Sequence, residues 1–378
     1  MGRRAIPLLF LWLCAAPLFA QDLDGLQIHG FATQGFLFSS HNNYLAMQSS
    51  KGSLQWTEGA VSLTDPVTDN LRIGIQLHME QLGQFGGSSV QVDWASGDYK
   101  FNDYLGFRAG KVKTPIGLFN DSQDVDSIFL WVLLPQPMYP VDNRGFNLAE
   151  LGGEVYGRLP LGERAGDLQY RGHMGHAAID SNGGYAELLE EVGLVFGDQP
   201  GGNTFGGDVR WIAPWKGLTL GSTILSQAID GATYNGGVHV APQLDTSFYG
   251  QMKIHKLYLT GEYWRTPINP ISTVGPEVIH WPLDSRAWYA MASYQMGKRF
   301  QMGTYYSHYV NKGGDTSLPE NYSKDWVISS RYDFNPYLYG KIEGHFLHGT
   351  GLGYYAFVNP DGLQTNSAML AARIGFSF

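Results

Sequence analysis

Leu71-Arg72-Ile73-Gly74-Ile75-Gln76-Leu77-His78-Met79-Glu80 sets a large apolar residue at every odd position and a polar or small one at every even position. Successive side chains on a strand point to opposite faces, so this period of two reads as a strand with one greasy and one wet face. The same rhythm returns in Val90, Val92 and Trp94 against Gln91 and Asp93, and in Leu105, Phe107 and Ala109 against Tyr104, Gly106 and Arg108. It recurs in Leu151, Val155 and Leu159 against Glu150, Glu154 and Arg158, and in Phe205, Val209 and Trp211 against Asp208 and Arg210. Near the end, Leu338, Ile342 and Phe346 oppose Tyr339, Lys341, Glu343 and His345, and Leu370, Ala372, Ile374, Phe376 and Phe378 oppose Arg373 and Ser377. Blurred versions, with Gly, Tyr and Ala on both faces, cover 28–38, 54–63, 248–254 and 286–295.

Composition narrows the classes. The 378 residues include 49 Gly and 18 Pro, are 14% aromatic and only 16% charged, which excludes a disordered chain and disfavours a helix-rich one. The opening MGRRAIPLLFLWLCAAPLFAQ puts Arg3 and Arg4 before an apolar run that ends at Ala20, the pattern of a secretory signal peptide over residues 1–20, cut before Gln21. Its apolar run is interrupted by Pro7 and Pro17 and is shorter than a spanning helix. Removing it takes the formal charge from −9 to −11 and carries away Cys14, the single cysteine, so no disulfide or thiolate site is expected. The acidity disfavours nucleic acid as a partner. Past the leader the longest apolar run is Ile128 to Leu134, too short for a helical span, so 21–378 reads as one unit.

A soluble sandwich also alternates. Two features favour a membrane barrel, greasy outside and wet inside. Connections alternate between short ones, such as 64–69, 96–103 and 160–167, and long ones, such as 39–53, 112–149, 176–204, 226–246 and 266–285, with 81–88 the short exception. Aromatics gather at strand ends, among them Trp211, Trp215, Tyr263, Trp264, Trp288 and Trp326. The fold class expected is therefore all-β: a transmembrane antiparallel β-barrel of about 16 strands with short periplasmic turns and long external loops, wide enough for an open lumen. The segment 186–192 fits a short helix or a strand.

Arg108 to Asp121 (RAGKVKTPIGLFND), Ile28 to Phe36, Phe205 to Trp211 and the terminal Phe378 resemble Gram-negative outer-membrane porins, especially the phosphate-selective porin O and P type. The resemblance implies a homotrimer in the bacterial outer membrane, an inward-folded third loop over 112–149, and a C-terminal strand whose Phe376 and Phe378 are read by the outer-membrane assembly machinery. Phosphate-selective members carry an arginine ladder and a lysine-rich constriction, whereas this chain holds 34 acids against 25 bases.

A passive pore selects by diameter, fixed charge and hydrogen-bonding groups. Wall candidates on the wet parity are Arg72, Arg108, Glu154, Arg158, Arg171, Arg210 and Arg373; Lys111 and Lys113 stand at the root of the third loop, and Asp121, Asp124, Asp126, Asp142 and Glu150 supply its acids. Acids facing arginines across a narrow watery gap would form a transverse-field eyelet. Pro115, Gly117, Pro135, Pro137 and Pro140 give the loop fixed bends, and its run 128–134 would pack on the barrel wall or reach a trimer interface. The expected function is an outer-membrane porin passing small hydrophilic solutes or ions through the lipid bilayer, with no cofactor and no catalytic residue. The alternative is a substrate-specific channel for phosphate, another anion or a sugar, the last with Tyr104, Tyr156, Tyr258 and Tyr339 as a sliding track; a barrel enzyme using Ser307 with His308 or Ser293, or a surface receptor acting through its loops, is the rival class. His173/His176 and His345/His348, three apart on strands, should face opposite ways and ligate no metal together. The run 120–127 lacks the glycine and closing Glu of a calcium loop.

Overall fold

A computed structural model describes residues 25–87, 89–215 and 217–378; the leader residues Arg3, Arg4, Cys14, Ala20 and Gln21 lie outside them. The strands are β1 (Gln27–Ser39), β2 (Ser53–Asp65), β3 (Leu71–Leu82), β4 (Gln91–Asn102), β5 (Leu105–Lys113), β6 (Ala149–Gly162), β7 (Gly166–Ala178), β8 (Gly201–Ile212), β9 (Leu218–Thr233), β10 (Gly236–Ile254), β11 (Leu257–Ile268), β12 (Ile271–Val274), β13 (Glu277–His280), β14 (Leu283–Gln295), β15 (Phe300–Asn311), β16 (Tyr322–Asp333), β17 (Leu338–His348) and β18 (Asn366–Ser377). Each wall strand pairs antiparallel with the next, and β1 closes on β18 from Phe31 opposite Ser377 to Ser39 opposite Met369. Because β11 pairs directly with β14, the small β12–β13 hairpin stands outside the wall, which leaves a closed barrel of 16 strands. No helix among the described residues is long and apolar enough to cross a membrane.

The period of two fixes the faces. On β3, Ile73 and Leu77 point outward and are exposed, while Gln76 and His78 point inward and are buried. Leu105 and Phe107, Leu151 and Val155, Phe205 and Val209, and Leu370, Ile374 and Phe376 are likewise exposed outside. Exposed apolar side chains around a closed barrel are the surface a bilayer covers.

Some boundaries differ from expectation. The stretch 96–103 is mostly strand, and a bulge at Asp93 shifts its phase, so that Trp94, expected on the greasy face, turns into the lumen while Tyr99 and Phe101 point outward. The stretch 226–246 is no loop: β9 and β10 continue as a hairpin that turns at Tyr234-Asn235 before Gly236, an Asn-Gly signal of a tight hairpin. Its outer end joins β12, and Leu194, Val238 and Val240 form a small cluster there with Leu189 and Phe196. The segment 186–192 is helical through Glu191, the end of α2 (Gly184–Glu191), with Val192 as its cap.

The lumen is less open than a barrel of this size allows. The third outer loop, 114–148, crosses it and ends in the short helix α1 (Arg144–Leu148). Leu130, Trp131, Met138 and Tyr139 of the loop bury against inward Ala287, Tyr289, Met291, Tyr305 and Val327. A second apolar cluster joins Leu45, Met47, Val132, Leu133, Tyr354 and Tyr355 of three loops to inward Leu37, Trp56, Leu82, Leu347 and Met369. The inward face is thus polar along β3–β9 and partly apolar along β14–β18, because loops rather than water cover it there. The run 128–134 packs on the wall, with Ile128 exposed.

Candidate pore and its charged wall

Inward parity on β3–β8 assembles a vestibule of about 900 Å³ that opens toward the short-turn rim. Seven bases line it, Arg72, Lys100, Arg108, Lys113, Arg158, Arg171 and Arg210, with five acids, Asp98, Asp103, Asp121, Asp167 and Asp208. The register explains the grouping: Asp98 lies opposite Arg108, Arg108 opposite Glu154, and Arg171 opposite both Tyr156 and Asp208. Glu154, with no side-chain exposure, ties two arginines together, accepting from Arg108 at 2.9 Å and from Arg171 at 2.5 Å. Arg108 also donates to Asp98 at 2.9 Å and lies over the Tyr156 ring, 4.3 Å from its centroid. Arg210 donates to the Tyr249 hydroxyl at 3.0 Å, and its nearest carboxylate, Asp208, is 3.8 Å away.

The third loop bonds to this wall directly. Asp121 binds Arg171 at 2.6 Å and Asp124 binds Lys113 at 2.6 Å. Asp126 crosses to the far side, meeting Lys341 at 2.9 Å and Arg373 at 2.8 Å. The eyelet expectation changes for three of its acids: Asp121, Asp124 and Asp126 meet their cations as contact pairs rather than across a gap, since a loop pinned by apolar packing brings them within bonding reach. Burial alone would raise the Asp126 carboxyl, but Lys341 and Arg373 outweigh it and hold it well below the usual range; Arg171 does the same to Asp121. Asp142 has no such cation, and burial raises it although the Tyr355 hydroxyl donates to it.

A second, smaller cavity lies toward the long-loop rim, lined by His78, Asp93, Asp142, Arg144, Phe146 and Asp180 among others. One hydrogen-bonded layer separates the two spaces. Arg144 donates to Asp93 at 3.0 and 2.6 Å; Gln76 donates to Asp93 at 2.8 Å and to Asp124 at 3.1 Å; Lys113 and Trp94 then reach Asp124 from the vestibule side. Gln76, Asp93, Asp124 and Arg144 are all buried.

Of the expected pore residues, Arg72, Arg108, Lys113, Asp121, Arg158, Arg171 and Arg210 line the vestibule, and Asp142 lines the second cavity. Asp124, Asp126, Glu150, Glu154 and Arg373 are buried in pairs, Glu150 with His173 at 2.8 Å and Arg373 with Glu58 at 3.0 Å. Lys111 does not line the pore. It pairs opposite exposed Leu151, and its ammonium donates to the Val92 carbonyl at 2.6 Å. The tyrosine track is interrupted, because Tyr339 is buried under the loop on Asp126. Ser307 is buried inside while His308 shares the outward face of Trp326, so the two face apart; His345 is buried inward and His348 shares the outward face of Phe346.

Sequence reasoning missed Glu58, Asp98, Arg144 and Glu262. Asp98 could not be reached by carrying the parity of Val90, Val92 and Trp94 forward, because a bulge at Asp93 shifts the phase of β4 and turns Trp94 and Asp98 inward. Glu262 receives the Tyr139 hydroxyl at 2.7 Å, and Arg144 pairs with a residue 51 positions away; no local pattern marks either contact.

No protein-family model matches the chain, and no curated protein matches it. Solved structures do. OmpF of Salmonella typhi in complex with daunomycin is 13% identical with a TM-score of 0.59, over 93% of this chain and 97% of that one. The anion-selective porin from Comamonas acidovorans is 12% identical with a TM-score of 0.57, over 93% and 98%. The outer membrane channel DcaP of Acinetobacter baumannii is 9% identical with a TM-score of 0.57, over 93% and 97%. At these identities the likeness is one of fold: a closed antiparallel barrel of 16 strands, the outer-membrane porin architecture. A closed barrel with an apolar outer belt places the chain in the bacterial outer membrane.

Proposed function

We propose that this chain is a passive channel for small hydrophilic solutes and ions, of weak charge preference, entered from the periplasmic side through the arginine-lined vestibule. The observation that carries this reading is the neutralisation of that wall. Of the seven bases lining it, Arg72 is the single one without a carboxylate within salt-bridge distance among the described residues. A wall of paired charges offers hydrogen bonds and polarity to passing solutes but little net field.

The likeness of 108–121 to phosphate-selective porins O and P is consistent with a shared scaffold, while the paired arginines favour a general channel over a phosphate-selective one. Trimer formation, removal of residues 1–20 as a signal peptide and recognition of Phe376 and Phe378 by the assembly machinery belong to the same proposal. Outward Phe378 supports the last: its backbone exchanges hydrogen bonds with Gly30 at 3.1 and 3.0 Å, and its ring covers that glycine, so the final residue zips the seam. The test is a reversal potential in a salt gradient across a planar bilayer, with and without phosphate. The expected result is stepwise conductance, a permeability ratio within about a few-fold of unity and no phosphate block. A strong anion preference with phosphate block would restore phosphate selectivity, and a folded barrel without conductance steps would remove the channel reading.

A further inference from the structure

Buried acids of the lumen are met by donors within the protein. Glu154 and Asp126 have cations, Glu150 and Asp325 have histidines, and Asp208 and Glu262 have tyrosine hydroxyls. Asp245 on β10 is the exception. It is 9% exposed, and its enclosed Oδ1 has no hydrogen-bond partner among the described residues. It stands four residues nearer the long-loop rim than Tyr249, which lies opposite Glu262 and so marks the level where the third loop docks.

Strand register gives its surroundings. Asp245 is opposite Leu225, and its inward neighbours along β10 are Gln243, opposite Gln227, and Ser247, opposite Trp264. Thr246 pairs with Arg265, which sets Thr266 across from Asp245. Beyond Gln227, Thr204 of β8 holds a second buried oxygen without a partner. None of these inward neighbours is charged, and Arg265, on the outward parity, is taken by Asp284 at 2.8 Å. Gln227, Gln243 and Thr266 are half-buried, so space remains on the rim side of the acid. Tyr185 of α2 borders that space. It packs edge-on against Phe146 at 5.7 Å and keeps 36% exposure, while enclosure, Asp142, Tyr309 and Asp245, in that order, raise its hydroxyl.

A carboxylate enclosed without a donor is costly, and a cation arriving through the lumen relieves that cost. A divalent metal ion wants several such ligands, and no three His, Cys, Asp or Glu come together among the described residues. A primary ammonium suits one carboxylate, since it brings three donors of its own. Side-chain amides and hydroxyls beside it suit further hydroxyl groups, and an aromatic face favours a nearby cation. We propose that Asp245 anchors the ammonium group of a small hydroxylated solute, an amino sugar, in the outer half of the lumen, with Gln227, Gln243 and Thr266 bonding its hydroxyls.

The test is a ligand-observed NMR titration of the full folded barrel in neutral detergent with glucosamine, and with N-acetylglucosamine, which keeps the ring and loses the charge. The parent should bind glucosamine saturably and N-acetylglucosamine about tenfold or more weakly, and Asp245→Asn should lose glucosamine binding by a similar factor, as expected for a hydrogen bond between charged groups. Asp361→Asn, which removes an exposed acid of the last outer loop, should bind as the parent does. Heat-modified mobility checks that each variant is a folded barrel. Equal binding of the two sugars, equal binding by parent and Asp245→Asn, an equal loss in Asp361→Asn, or no saturable binding of glucosamine would each overturn the site. Occupancy is read without current, so this result and the conductance result stand apart.

Discussion

Arg144 is the residue on which the separation of the two lumenal cavities turns. Buried polar contacts gain little net stability when water can replace them, so the layer of Gln76, Asp93, Asp124 and Arg144 opens at less cost than the apolar seals elsewhere in the lumen. Arg144→Ala should therefore raise unit conductance in a planar bilayer by about twofold or more while heat-modified mobility stays that of a folded barrel; unchanged conductance would place the route elsewhere. Asp126 answers to pH. Its folded value lies below its unfolded one, so the docking it contributes is complete above about pH 5, where the unfolded carboxyl is also ionised, and is lost as pH falls through the lower folded value. Conductance should be flat from about pH 7 to 5 and depart from that level in more acid solution, and Asp126→Asn should reduce the acid-dependent change, the remainder belonging to Asp121 on Arg171. Parity alone made Arg108, Glu154, Arg171 and Arg210 readable as wall residues. It could not tell which acid would meet which base, because Asp121 and Arg171 are 50 residues apart and Asp126 and Arg373 are 247.

The third loop is an element held by bonds to its backbone as much as by its side chains. Glu343 accepts the N–H groups of Val132 and Leu133 at 3.1 and 3.0 Å, backed by His345 at 3.0 Å and, behind it, Asp325 at 2.7 Å. At the other end Gly117 adopts φ of +58°, its N–H donates to Thr223 at 3.0 Å, and an added methyl would stand 2.1 Å from a Glu262 oxygen. Gly117→Ala should cost roughly 1–2 kcal/mol for the left-handed backbone alone, and more for the clash, read as a lower urea midpoint together with noisier open-channel current. A lower midpoint without added noise would show that this end of the loop does not border the route. The bends at Pro115, Gly117 and Pro135 were legible as a folded loop. The sector it folds onto was not, since the inward residues that receive it, such as Tyr289 and Val327, alternate as any strand residue does.

At the scale of the molecule, closure is independent of the outer hairpin. β11 pairs with β14 along its whole length, from Leu257 opposite Tyr294 to Ile268 opposite Leu283. Replacing 270–281 by a short turn should leave a barrel that still shows heat-modifiable migration and the parent conductance steps; loss of folding would mean that β12 and β13 guide assembly. The sequence by itself determined the barrel, its strand number and the outward belt, because a period of two assigns each side chain to a face without reference to any distant residue. It also determined which bases stand on the inward face of β5–β8. Only the tertiary structure decided how much of the lumen remains open and which charges cancel. Those depend on where a 35-residue loop comes to rest against strands far along the chain, and a local pattern of polarity carries no information about contacts made across the barrel.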